Sequence, residues 1–354
     1  MNKYLESLNE DIRAYYSILS EEFPEFLMDY INTPAMQKQA GISVSCGTIY
    51  TKLFSYKYWF SSLDHSIAVA LIIWHFTKDK KQTLSGLFHD IATPAFKHVI
   101  DFMNGDYTKQ ESTEELTTEM IANSKEIKDL LNRDGIKIEE VCDYHMYPIA
   151  DNDTPKLSSD RLEYTMSNGL GVRKNLFTID EIREIYNDIC ILNDEEGTVE
   201  LGFKTKEIAE KFVHNMSILS VSYVDNRTKL TMNFLAEIMK RMSKLGLITK
   251  EEMYELSEKE VIEKIKKCDE DNISTNFEIW ENAQRIIESE IPLENKFGGE
   301  LKGKLRYINP LVQTEKGIYR LKDISESGKK DIDACVNYTT PKYAYFDFEF
   351  KNIY

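Results

Sequence analysis

The stretch Ser61–Phe76, SSLDHSIAVALIIWHF, constrains this chain more than any other. From Ile67 to Trp74 it has no polar side. A helix that is apolar on most faces must be covered on most faces, so this segment is expected at the centre of the fold. Ser61 or Ser62 is placed to cap it. The apolar run falls well short of the ~20 residues that cross a bilayer. His65 sits inside this helix, and a buried imidazole needs a partner.

Helical spacing dominates the rest. Residues 1–30 carry one or two amphipathic helices with Leu5, Leu8, Ile12, Tyr15 and Leu19 on one face. Thr33-Pro34 reads as a helix start, and 41–50 reads as an irregular connection. Helices are expected over 82–91, from Ala95 to about Met103, and over 111–132 and 137–147. After the turn-rich DNDTPK, Ser158-Ser159 opens a helix through Met166, closed by Asn168-Gly169. Further helices are expected over 179–192, 205–222 and 228–245, with two more between 250 and 290. Beyond 290, GKLRYINPLV, GIYRLKDI and KYAYFDFEF read as short strands or extended packing segments. The fold class is therefore expected to be all-α, a helical bundle over 1–178 with a mainly helical C-terminal extension over 179–354 and a few short strands near its end.

Composition removes several function classes. A net charge of −16 argues against non-specific nucleic-acid binding, which runs on Lys and Arg. The five cysteines are widely spaced and form no CxxC pair, so neither a zinc knuckle nor a disulfide framework is expected. The N-terminal MNKYLESLNEDIRAYY lacks an apolar signal segment, and the expected location is the cytoplasm. Neither GxGxxG nor GxxxxGK[ST] nor GxSxG occurs.

What remains is a pattern of histidines and carboxylates. His65 lies in the apolar helix, His89-Asp90 ends the next, and Asp160 heads a later one. Imidazole nitrogens and carboxylate oxygens suit Zn, Mn, Fe, Ni, Co or Mg. Brought together from separate helices they would form a mononuclear site with room for water. Each residue also has a plainer reading. His65 alone is a core histidine. His89-Asp90 could cap a helix C-terminus. Asp160 could be an N-cap with Glu163 completing a capping box. His75 and His214 read as structural.

The ordered text SLDHSIAVAL, LSGLFHDIATPAFKHV and SSDRLEYTM resembles the HD superfamily of metal-dependent phosphohydrolases, and within it the deoxynucleoside triphosphate triphosphohydrolase-like group. The resemblance runs from about residue 34 to 170. It implies one divalent cation held by His65, His89, Asp90 and Asp160, and a small phosphorylated substrate, a nucleotide first among them. Asp90, His98 and Glu111 would take catalytic roles, and Lys97, His145, Arg161 and Tyr164 would contact substrate. It also implies self-association into a homo-oligomer. Two departures stand out. Thr93 occupies the place of a second histidine after HD, and Ser62 stands where an arginine often grips phosphate. Triphosphate cleavage and a catalytically silent sensor or scaffold are the rival readings.

Overall fold

The computed structural model describes residues 3–105 and 116–347. Glu111 lies outside the described residues.

Every residue from Ser62 to Ile73 of the Ser62–Thr77 helix is buried. Its start is fixed by a capping box in which Ser61 Oγ accepts from the Asp64 N–H and the Asp64 carboxylate accepts from the Ser61 N–H. Lys78, left-handed at φ 52°, ends the helix, and Asp79 immediately caps the next one, Lys80–Phe88. So short a link forces the second helix back along the first. That antiparallel return carries His89 to the level of His65. Gly86 lets the two helices approach, because a Cβ there would lie 2.2 Å from Ile73 Cδ1 and 3.3 Å from Val69 Cγ1. Gly86→Val is therefore expected to cost about 1–3 kcal/mol of stability through overpacking; denaturant titration measures it.

The largest buried cluster wraps this hairpin. It takes Tyr15, Leu19 and Tyr30 from the N-terminal helices, Leu162 and Met166 from Ser159–Ser167, and Phe203 and Phe212 from further on. Tyr30 meets Phe88 edge to face at 5.8 Å. A second cluster gathers around Phe234, Trp280 and Phe277, with the Phe234 and Trp280 rings stacked at 5.5 Å. No helix among the described residues is long and apolar enough to cross a membrane.

The all-α expectation is corrected by two sheets. The first runs β1 (Ile189–Asn193), β2 (Val199–Phe203), then β5 (Leu311–Thr314) and β6 (Gly317–Arg320), with β2 and β5 parallel and the other pairs antiparallel. The second places β7 (Tyr343–Phe346) between β3 (Ile286–Ser289) and β4 (Gly298–Glu300). The helix expected over 179–192 stops at Asp188, because the alternating ICILN segment pairs with VELGF across a turn held by Asp194. The helix expected over 137–147 is two single turns, Ile138–Glu140 and Tyr144–Met146. GIYRLKDI is half strand, half helix, turning helical at Leu321.

Against the backbone of Ser43 and Phe96 lies a buried carboxyl, Glu258, which also accepts from Tyr50 Oη at 2.9 Å. Burial raises its pKa from 4.5 to about 8. The unfolded chain releases this proton near pH 4.5 and the folded chain holds it to about pH 8, so stability falls across that window as pH rises. Glu258→Gln has no such proton to lose. Its Tm relative to the parent is expected to be higher at pH 8.5 than at pH 5, read by thermal unfolding at both.

Candidate metal centre

Three helical segments converge on one point. His65 comes from the first turn of Ser62–Thr77, His89 from the turn after Lys80–Phe88, and Asp160 from the first turn of Ser159–Ser167, whose N-cap is Ser158. His65 Nε2 lies 3.1 Å from His89 Nε2 and 3.1 Å from Asp160 Oδ1. The three donor atoms all fall within 4.8 Å of one another. Asp90 Oδ2 is 4.0 Å from His65 Nε2 and 3.8 Å from His89 Nε2.

The outward ring nitrogens are both engaged. His89 Nδ1 lies 2.7 Å from the Gly86 carbonyl, which can only accept. That nitrogen therefore carries a proton, and Nε2 is the one turned toward the cluster. His65 Nδ1 is bonded to Glu163, a carboxylate with no solvent exposure, whose other oxygen accepts from Tyr15 Oη at 3.2 Å. A carboxylate behind an imidazole is the arrangement that fixes ring orientation and raises basicity in metal sites. Burial alone would lower the His65 pKa, yet Glu163 and Asp160 outweigh it and bring it up to about 10. The neighbouring imidazoles likewise overcome burial to hold Asp160 well below the usual carboxylate range. Such a donor set fits a divalent cation that displaces the His65 proton: two imidazole nitrogens, at least one carboxylate oxygen and a cavity beside them.

Asp90 is differently placed. Its Oδ2 accepts from Lys97 Nζ and, at 2.9 Å, from Ser62 Oγ. Lys97 itself is buried, and both Phe96 (φ 64°) and Lys97 (φ 47°) are left-handed. Two consecutive non-glycine residues in that region cost of order 1–3 kcal/mol each. The strain falls on the segment that aims the ammonium at Asp90. Ser62 thus serves the same carboxylate.

The remaining expected residues line one cavity of about 730 Å³ with the cluster in its wall. His98 Nδ1 is held by Asp101 Oδ2 at 2.9 Å, and burial lowers the ring's pKa. His145 is half exposed and lies 3.0 Å from Asp143 and 3.4 Å from Asp151. Arg161 is committed to the Asn152 loop, with Nη1 2.6 Å from Asn152 Oδ1 and 3.3 Å from Asp151 Oδ1. Tyr164 lies one helical turn beyond Asp160, and burial raises its hydroxyl to about 12.

No family model matches the chain. Among curated proteins it is similar to the uncharacterized protein YdhJ of Bacillus subtilis, 21% identical over 275 residues, covering 75% of this chain and 78% of the relative. Among solved structures, a phosphohydrolase from Bacteroides thetaiotaomicron superposes with a TM-score of 0.66 at 11% identity, covering 92% of this chain and 97% of that one. A hypothetical protein from Aquifex aeolicus superposes with a TM-score of 0.62 at 17% identity, covering 92% and 93%. At these identities the likeness is one of fold, and it spans nearly the whole chain.

The sequence reading missed Glu163 as a support for His65. Asp160 and Glu163 are i and i+3 and share a helix face, which was the available signal. It also missed Arg173, Tyr223, Lys304 and Arg306 in the cavity wall. Nothing local in the sequence marks those positions.

Proposed function

We propose that this protein is an HD-type metal-dependent phosphohydrolase acting on a small phosphorylated substrate, a nucleotide first among the candidates. The observation that carries the reading is the meeting of His65 Nε2, His89 Nε2 and Asp160 Oδ1, with both outward ring nitrogens already bonded. A divalent cation bound there would supply a water of lowered pKa and polarise a phosphoryl oxygen.

In this reading His65, His89 and Asp160 hold the cation. Asp90, its charge balanced by Lys97, orients the water beside it. His98, with Nδ1 donating to Asp101, can give a proton from Nε2 to the leaving oxygen only after that nitrogen has taken one up, since burial lowers the ring's pKa. Glu111, an alternative donor, lies outside the described residues. The fold of the Bacteroides phosphohydrolase agrees with this chemistry.

The test is metal analysis of the purified chain, followed by a phosphate-release screen over nucleotides and other phosphate esters with Mn, Mg, Ni and Co. Stoichiometric metal with turnover is expected; absence of both overturns the reading. Release of tripolyphosphate instead of orthophosphate would identify a triphosphohydrolase. A second reading, a nucleotide sensor or scaffold, has the Lys97–Asp90 pair on its side, since one carboxylate near the cluster is already neutralised. Metal loading without turnover of any ester would favour it. Self-association is part of the proposal and is read by light scattering.

A further inference from the structure

We infer that the cavity holds a second anion subsite, built by Arg173 and Tyr223, and that the substrate carries a second oxyanion there besides the phosphate that is cleaved. The inference rests on the phosphohydrolase reading only for where cleavage occurs.

Arg173 is delivered by an irregular turn. The Ser159–Ser167 helix runs into a π-helical turn, Asn168–Val172, in which Gly171 takes φ 141°, a conformation open to glycine. The Arg173 N–H closes that turn on the Asn168 carbonyl at 3.1 Å. One helix therefore presents Asp160 at its start and, through the turn at its end, an arginine to the same cavity. The guanidinium is anchored by Nε to Ser222 Oγ at 2.8 Å, and by Nη2 to the Ser222 carbonyl and Thr228 Oγ1. These are neutral acceptors. Among the described residues no carboxylate is paired with it.

Tyr223 is the independent observation. Its ring lies 5.2 Å under the Arg173 guanidinium and 6.2 Å from the Tyr164 ring. The residue lines the cavity, and its hydroxyl is buried with no hydrogen-bond partner among the described residues. A buried hydroxyl without a partner is costly, and a ligand oxygen would satisfy it. Arg306, from the C-terminal half, lies near enough to Tyr164, Asp160 and Tyr223 to interact with all three. Lys229 also lines the cavity, anchored to the Leu301 carbonyl and Thr340 rather than to an acid. A chain of net charge −16 has thus placed several cations in the wall of one cavity.

Asp160 stands in the first turn of the Ser159–Ser167 helix and Arg173 just past the turn that ends it. At about 1.5 Å of rise per residue their backbones are separated by more than about 10 Å. A ligand that engages both carries two anionic groups rather than one. The ligand class is a phosphate monoester whose organic part bears another phosphate or a carboxylate at its far end.

The experiment has a binding arm and a turnover arm, both on the full chain. In EDTA, adenosine 3′,5′-bisphosphate and a hexose 1,6-bisphosphate are titrated calorimetrically into the parent, Arg173→Met and Tyr223→Phe. Arg173→Met is expected to weaken binding about ten- to a hundredfold, the scale of a charged hydrogen bond. Tyr223→Phe, which deletes only the hydroxyl, is expected to weaken it severalfold and decides the matter should Arg173→Met fail to fold. The better of the two probes tells a nucleotide from a sugar ligand. In the turnover arm, kcat/KM is compared between each bisphosphate and its monophosphate, and Arg173→Met is expected to shrink the preference for the bisphosphate about tenfold or more. Probe binding unchanged in both variants, or no binding by the parent, overturns the subsite. Binding that depends on Arg173 without any turnover sustains the subsite and overturns the phosphohydrolase reading instead.

Discussion

A chain carrying His89→Ala together with Asp90→Ala is expected to lose divalent-metal binding and phosphate release altogether. His89 supplies one of the three convergent donor atoms, and its Nδ1 bond to the Gly86 carbonyl fixes which nitrogen faces the others. Losing an outer partner of a metal ligand typically costs ten- to a hundredfold, so losing a ligand is expected to exceed about a hundredfold. Asp90→Ala adds a separate effect. It leaves Lys97 buried and without its carboxylate, and a stranded buried charge destabilises by about 3–5 kcal/mol. The single variant His89→Ala keeps the Lys97–Asp90 pair and separates the two effects. It should retain the parent's circular dichroism and most of its Tm while binding no metal. Metal content and turnover at the parent's level in a folded His89→Ala would place the centre elsewhere.

Glu163→Gln is the second large change expected. The amide keeps the shape and can still hydrogen-bond to His65 Nδ1 and Tyr15, but the charge behind the imidazole is gone. Metal affinity is expected to fall about ten- to a hundredfold by calorimetry. The pH profile carries the more specific signature. In the parent, Glu163 and Asp160 hold the His65 pKa near 10, so a metal must displace a proton across the neutral range. Parent affinity should rise on the order of tenfold per pH unit between pH 6 and 9. Without Glu163 the pKa of His65 drops, and the slope of the variant should flatten at the upper end of that range. Parallel pH profiles would mean that Glu163 only fills space.

The helices that carry the centre were legible because their causes are local. Ser61 and Asp64 form a cap within four residues, Lys78 and Asp79 close the hairpin, and Ser158 caps the helix that holds Asp160. β5, β6 and β7 fall in the aromatic and β-branched runs beyond residue 290, but β1 and β2 were not legible. β1 follows a helix without a break, and what makes it a strand is its partner β2, whose own other neighbour is β5 more than a hundred residues on. Glu163 was legible by spacing, yet the sequence offered it only a place in a capping box, under the plainer reading of Asp160 as an N-cap. With Ser158 as the true cap, Glu163 is free to turn inward. Arg173 and Tyr223 could not be foreseen, because a π-turn and a contact between distant helices bring them together.

The support of the centre reaches back to the first helices. Tyr15 holds Glu163 from 148 positions away, and Tyr16 donates to the Asp64 carbonyl one residue before His65 at 2.8 Å. A fragment trimmed to the segment that carries the recognisable motifs, about 34–170, would keep every donor atom and discard the props behind them. Its histidines would be present but loosely aimed, so minimal-domain dissection is the wrong tool for this protein.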